Sequence, residues 1–112
     1  MATRKETIEF ILTKLRAPET FSARPMFGEY ALYADGKVVA LVCDDLLYVK
    51  ILPVSAELAN QCEQGPPYPG ARPHYIVEEV QLTSIHNLAA ILRAIAQAIP
   101  AKKKSTARRQ KA

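Results

Sequence analysis

The side chains with the widest chemical repertoire are His74, His86, Cys43 and Cys62, and their spacing joins none of them into a catalytic unit. A nucleophilic site needs a Ser, Cys or Thr beside a base that a third group orients. Neither histidine has such a neighbour in sequence. The cysteines lack CxxC spacing and nearby histidines, which leaves a zinc centre short of ligands. Two structural thiols are expected, because a reducing interior works against a disulfide between them. Asp44-Asp45 and Glu78-Glu79 are paired carboxylates. The first pair reads as a turn former and makes a poor cage for a hard cation. The second reads as part of a strand, where adjacent side chains point to opposite faces. The glycines stand singly at positions 28, 36, 65 and 70, so no phosphate-cradling glycine loop is present. The expectation is a chain that is not an enzyme and uses no metal or cofactor.

What remains is charge and aromatic contact. The formal net charge is +4, but residues 1–100 hold nine Lys/Arg against eleven Asp/Glu. Residues 101–112 hold six bases and no acid: Lys102, Lys103, Lys104, Arg108, Arg109 and Lys111. Such a run reads as a disordered basic tail, with nucleic-acid phosphates as its natural contacts. Within the body, the stretch 65–73 packs four prolines and two glycines into nine residues. It must be an irregular, stiffened loop, from which Tyr68 and Arg72 project as a candidate partner surface. A small-molecule pocket beneath it, contacted by Tyr68, Arg72 and His74, is a further reading.

The elements that position these groups follow from periodicity. Ile8, Ile11, Leu12 and Leu15 form one helical stripe over Thr3 to Arg16, with Thr3 and Glu6 at capping-box spacing and Pro18 as the stop. Thr20 to Arg24 is ambiguous, and Gly28 marks a bend or a close backbone approach. Tyr30–Ala34, Lys37–Cys43 and Leu46–Ile51 read as a three-strand meander joined by Asp35-Gly36 and Asp44-Asp45 turns. The nearly continuous apolar run of the middle strand suits a strand covered on both faces or paired across a subunit boundary. Pro53 opens a short helix running to Gln64. His74–Leu82 reads as an edge strand, and a last helix capped by Thr83 or Ser84 carries Ile85, Leu88, Ile91, Leu92, Ile95 and Ile99. The fold class is α+β: an antiparallel sheet, three-strand meander plus a fourth strand, with N-terminal, middle and C-terminal helices packed on it. Residues 1–100 make one domain and 101–112 the tail. No apolar run approaches the roughly 20 residues that span a bilayer, and no signal segment leads the chain, so a cytoplasmic protein is expected.

The ordered set Met26-Phe27-Gly28, Tyr30, Asp35-Gly36-Lys37, Ala40-Leu41-Val42 and Leu47-Tyr48-Val49-Lys50 resembles the N-terminal domain of the TfoX/Sxy family. The resemblance runs over about residues 5–99 and includes the proline-rich loop and closing helix. It implies a regulator of competence-type genes, a transcriptional coactivator working by protein–protein contact alongside the cyclic-AMP receptor protein. It also implies that Met26, Phe27, Gly28, Tyr30, Asp35, Gly36, Lys37, Tyr48 and Lys50 are structural or interface residues. The apolar middle strand and the aromatics Phe27, Tyr30, Tyr33 and Tyr48 predict a homodimer. The alternative function is an accessory protein binding nucleic acid nonspecifically through its tail.

Overall fold

A computed structural model describes residues 3–16 and 19–99. In chain order the elements are α1 (Lys5–Leu15), β1 (Phe21–Met26), β2 (Glu29–Ala34), β3 (Lys37–Cys43), β4 (Leu46–Val49), a 3-10 helix (Pro53–Asn60), β5 (Glu63–Gly65), β6 (His74–Val77), α2 (Glu79–Ser84) and α3 (Leu88–Ala98). All strands pair antiparallel in one six-stranded sheet of order β1-β2-β3-β4-β6-β5. The expected meander is therefore present and extended at both ends. Among the described residues no helix is long and apolar enough to cross a membrane.

Three two-residue hairpins build the first four strands, and each sets both central residues at positive φ: Phe27 and Gly28 (52° and 83°), Asp35 and Gly36 (52° and 81°), Asp44 and Asp45 (53° and 64°). That is the turn whose twist matches the strands it joins. The Gly28 bend is thus a hairpin turn, and its open surroundings rule out a close backbone approach there. Pro25 is tolerated because β1 is an edge strand. Leu32 pairs with Ala40 while Tyr33 pairs with Val38, which makes Val39 the extra residue of a bulge.

One face of the sheet carries Phe21, Leu32, Ala34, Ala40, Val42, Leu47, Val49, Tyr75 and Val77, all buried. Ile8, Ile11 and Leu15 of α1 and Leu88, Ile91, Leu92 and Ile95 of α3 join them in a single core. At about 25 cal/mol per Å², each fully buried Leu or Ile there adds roughly 1.5–3 kcal/mol.

Both long helices are tied down by side chains distant in sequence. Thr3 and Glu6 form no capping box; the N-cap is Arg4, without a side-chain cap of its own. Instead the Asp45 carboxylate accepts the Arg4 N–H (2.9 Å) and the Thr7 hydroxyl (2.8 Å), and pairs with the Arg4 guanidinium at 3.3 Å. Thr3 is buried, donating to Glu29 Oε1 at 2.6 Å and accepting the Asp45 N–H at 3.3 Å. At the far end, Lys37 Nζ donates to the Ala96 and Ile99 carbonyls (2.9 and 2.8 Å), the orphan acceptors of the last turn of α3.

Four expectations are corrected. The segment after Pro53 is a 3-10 helix ending at Asn60, not a helix to Gln64, and residues 63–65 form strand β5. Ser55 fixes that turn: its buried hydroxyl accepts the Leu52 N–H at 3.0 Å and donates to the Lys50 carbonyl at 2.8 Å. Residues 74–82 are not one edge strand: β6 is interior, between β4 and β5, and stops at Val77. Glu78 and Glu79 instead open α2, where Gln81 accepts the Glu78 N–H at 2.9 Å and donates to the Gln61 carbonyl at 2.7 Å. The cap of the last helix is Asn87 rather than Thr83 or Ser84, which close α2; Ile85 and His86 lie between the two helices.

Candidate protein-interaction surface

The family-motif residues divide by burial. Tyr48 is buried, Met26, Tyr30, Lys37 and Lys50 are half-buried, and Asp35 and Gly36 form an exposed turn. Phe27 is 100% exposed. Alternation along the strands separates the aromatics: Tyr30 packs against the core under the helices, whereas Tyr48 lies on the opposite face with Ala31, Leu41 and Ile76. Tyr33 shares that outer face and carries the Arg24 guanidinium 5.3 Å from its ring centroid. The four aromatics that suggest a dimer are thus divided among the core face (Tyr30), the outer face (Tyr33 and Tyr48) and an exposed turn (Phe27).

Folding instead brings the Phe27 turn to the proline-rich loop. Met26, Phe27, Glu29, Cys43, Pro67 and Tyr68 line one groove of about 410 Å³, predominantly apolar. Pro67 is buried and anchors the loop, while Tyr68 stays 52% exposed. The Ala71 N–H donates to the Tyr68 carbonyl at 3.1 Å, and Gly70 at φ 88° completes that turn. Arg72 is exposed but outside the groove, and the His74 ring engages the Arg72 carbonyl at 2.9 Å. The pocket beneath the loop is thus apolar and lacks the expected Arg72 and His74 contacts. Lys102, Lys103, Lys104, Arg108, Arg109 and Lys111 lie outside the described residues.

Among the residues lining the groove, Cys43 is held in its neutral form. Burial pushes the Cys43 thiol up, and the Glu29 and Asp44 carboxylates push it further. Burial likewise raises the Tyr48 phenol. Cys43 and Cys62 are free thiols, and burial, then Glu78, raises the second. A raised pKa makes a poor nucleophile at neutral pH. Asp45 moves the other way, held low by the Arg4 N–H and the Thr7 hydroxyl. Its role as the anchor of α1 was invisible in the sequence, where it reads only as a turn residue. Among the described residues no group of three or more His, Cys, Asp or Glu is placed to hold a metal ion.

Comparison with known proteins agrees with this architecture. Residues 13–99 match the model of the TfoX N-terminal domain. Over 78 residues the chain is 40% identical to the uncharacterised 12.7 kDa protein in the trpE 5′ region of Spirochaeta aurantia, covering 70% of this chain and 67% of that one. The protein belongs to the TfoX N-terminal domain family.

Proposed function

We propose that the protein is a non-catalytic regulator of the TfoX type, a transcriptional coactivator or regulator of competence-type genes working by protein–protein contact in the cytoplasm. The Phe27–Tyr68 surface is its contact, with a transcription activator or with a second copy of the chain. One observation carries the reading: Phe27 is fully exposed at φ 52°. A bulky side chain in the left-handed region costs roughly 1–2 kcal/mol relative to Gly or Asn, and full exposure forgoes roughly 1.5–3 kcal/mol of burial. Neither the turn nor the core of the monomer gains from Phe at this position. A rigid aromatic held out beside an apolar groove is the form that interface anchors take.

The test is transcript profiling of cells carrying the wild type, a deletion, or Phe27→Ser/Tyr68→Ser. The double variant should reproduce the deletion profile at normal protein level. A deletion without effect on transcripts refutes the regulatory reading; a double variant with wild-type transcripts refutes the surface. Sedimentation of wild type and variant at high concentration tests the homodimer, which a strict wild-type monomer excludes. A second reading, nonspecific nucleic-acid binding through the tail, draws on the six uncompensated bases of residues 101–112.

A further inference from the structure

A second groove, of about 380 Å³, lies between the end of α1 and the turn joining α2 to α3. Its polar lining is Lys14 and Arg16 on one wall and Thr83 and His86 on the other, over a floor that includes Ile85 and Leu88. Lys14, Arg16, Thr83 and His86 are all exposed, and no carboxylate lines the groove. The body carries more acids than bases, and Arg4–Asp45 is the one ion pair among the described residues, so this segregation runs against the average charge. Cations at the end of a helix complement its dipole, which accounts for Lys14 and Arg16. It does not account for His86 facing them from another element.

The basic line continues. Arg93, seven residues on from His86 in sequence and within α3, is exposed, and α3 contains no acidic residue. Beyond its end the chain runs on to Lys102, Lys103 and Lys104. No Phe, Tyr or Trp lines the groove, and the one imidazole, His86, is too little to stack successive unpaired bases. Exposed cations without base-reading geometry suit phosphates of a duplex backbone, which position without specifying sequence.

We propose that this groove binds the phosphate backbone of duplex DNA through Lys14, Arg16 and His86, as a folded site additional to the tail. The inference is independent of the Phe27–Tyr68 reading, because it shares no residue with that groove and rests on charge rather than apolar contact.

The test is fluorescence anisotropy of a mixed-sequence duplex of about 20 bp, titrated with the full chain from about 50 to 200 mM salt. Lys14→Gln/Arg16→Gln should lower the slope of log K against log salt by about 1.8, at about 0.9 per lost phosphate contact. Lys5→Gln/Lys50→Gln removes the same charge elsewhere and should leave most of that slope in place. His86→Glu, which places a carboxylate at the rim, should weaken binding without touching α1. A full chain with all six tail bases changed to Gln should retain salt-dependent binding that Lys14→Gln/Arg16→Gln then removes. The proposal fails if the groove pair and control pair give the same slope, if His86→Glu binds like the wild type, or if neutralising the tail alone abolishes binding.

Discussion

Lys37→Met isolates what the last residue of the Asp-Gly-Lys motif does. Methionine keeps the aliphatic stem and removes the ammonium, so the half-buried packing at the start of β3 survives. What is lost are the two donations to the Ala96 and Ile99 carbonyls, at 2.9 and 2.8 Å and partly shielded from water. A hydrogen bond to a charged group contributes about 1.5–3 kcal/mol net. Because water can replace one donor at a helix end, the expected total is about 2 kcal/mol. For a domain of this size that is a fall in Tm of roughly 8–16 °C. Urea denaturation followed by circular dichroism should move the midpoint at unchanged m, since the core residues Ile91, Leu92 and Ile95 stay buried. Lys5→Met, on the exposed first turn of α1, serves as the comparison and should stay within about 0.5 kcal/mol of wild type. A loss from Lys37→Met no larger than that would refute Lys37 as the clasp of α3.

Asp45→Asn keeps a residue that tolerates positive φ but removes the charge that Arg4 and Thr7 stabilise, and should cost about 1 kcal/mol. Because the folded carboxyl is held low, that contribution is complete above the unfolded carboxylate pKa near ~4 and fades as pH falls through the folded value. The gap between wild type and variant should therefore close in acid, and a gap that widens there contradicts the assignment. Phe27→Asn should stabilise by about 0.5–1 kcal/mol, since it relieves the left-handed φ and gives up no buried contact; a drop in Tm would show that Phe27 supports the monomer. Native Cys43 and Cys62 should react with a thiol reagent at neutral pH more slowly than a free cysteine and speed up in urea, as burial raises both. Equal native and unfolded rates would contradict the burial.

The meander was legible because its turns are local chemistry. Asp35-Gly36 accepts positive φ at both positions, and the apolar run from Val38 to Val42 has no polar residue to spoil a central strand. The stripes of α1 and α3 were legible for the same reason; all four positions of the first lie in α1, and four of the six read for the last helix lie in α3, Ile85 and Ile99 falling outside it. What escaped depends on partners far along the chain. The first turn of α1 is held by Asp45, some forty residues on, so no capping rule applied to residues 3–6 identifies it. β5 is three residues long, too short for any period, and forms because β6 offers it an edge. Val-Glu-Glu-Val-Gln-Leu alternates loosely enough to fit a strand, yet Gln81 ties residues 78–82 into a helix through the Gln61 carbonyl. The groove was unreadable in the same way, because Phe27 and Tyr68 come to border one groove only in the folded chain, with Pro67 buried.

The family motif therefore splits by physical cause. Gly36 and Asp35 serve a turn, Lys37 closes α3, Tyr30 packs on the core, and Tyr48 fills the outer face of β4. Each has a reason that stays inside the monomer, so replacing any of them would disturb the fold first and any partner second. Phe27 has no such reason: its backbone conformation is costly for a bulky side chain and its ring touches solvent on every side. Sequences that specify a fold keep local preference and burial in agreement, and departures concentrate where function requires them. Within this motif the departure falls on one residue. That makes Phe27 the position at which stability and function should separate, the one rising as the other is lost.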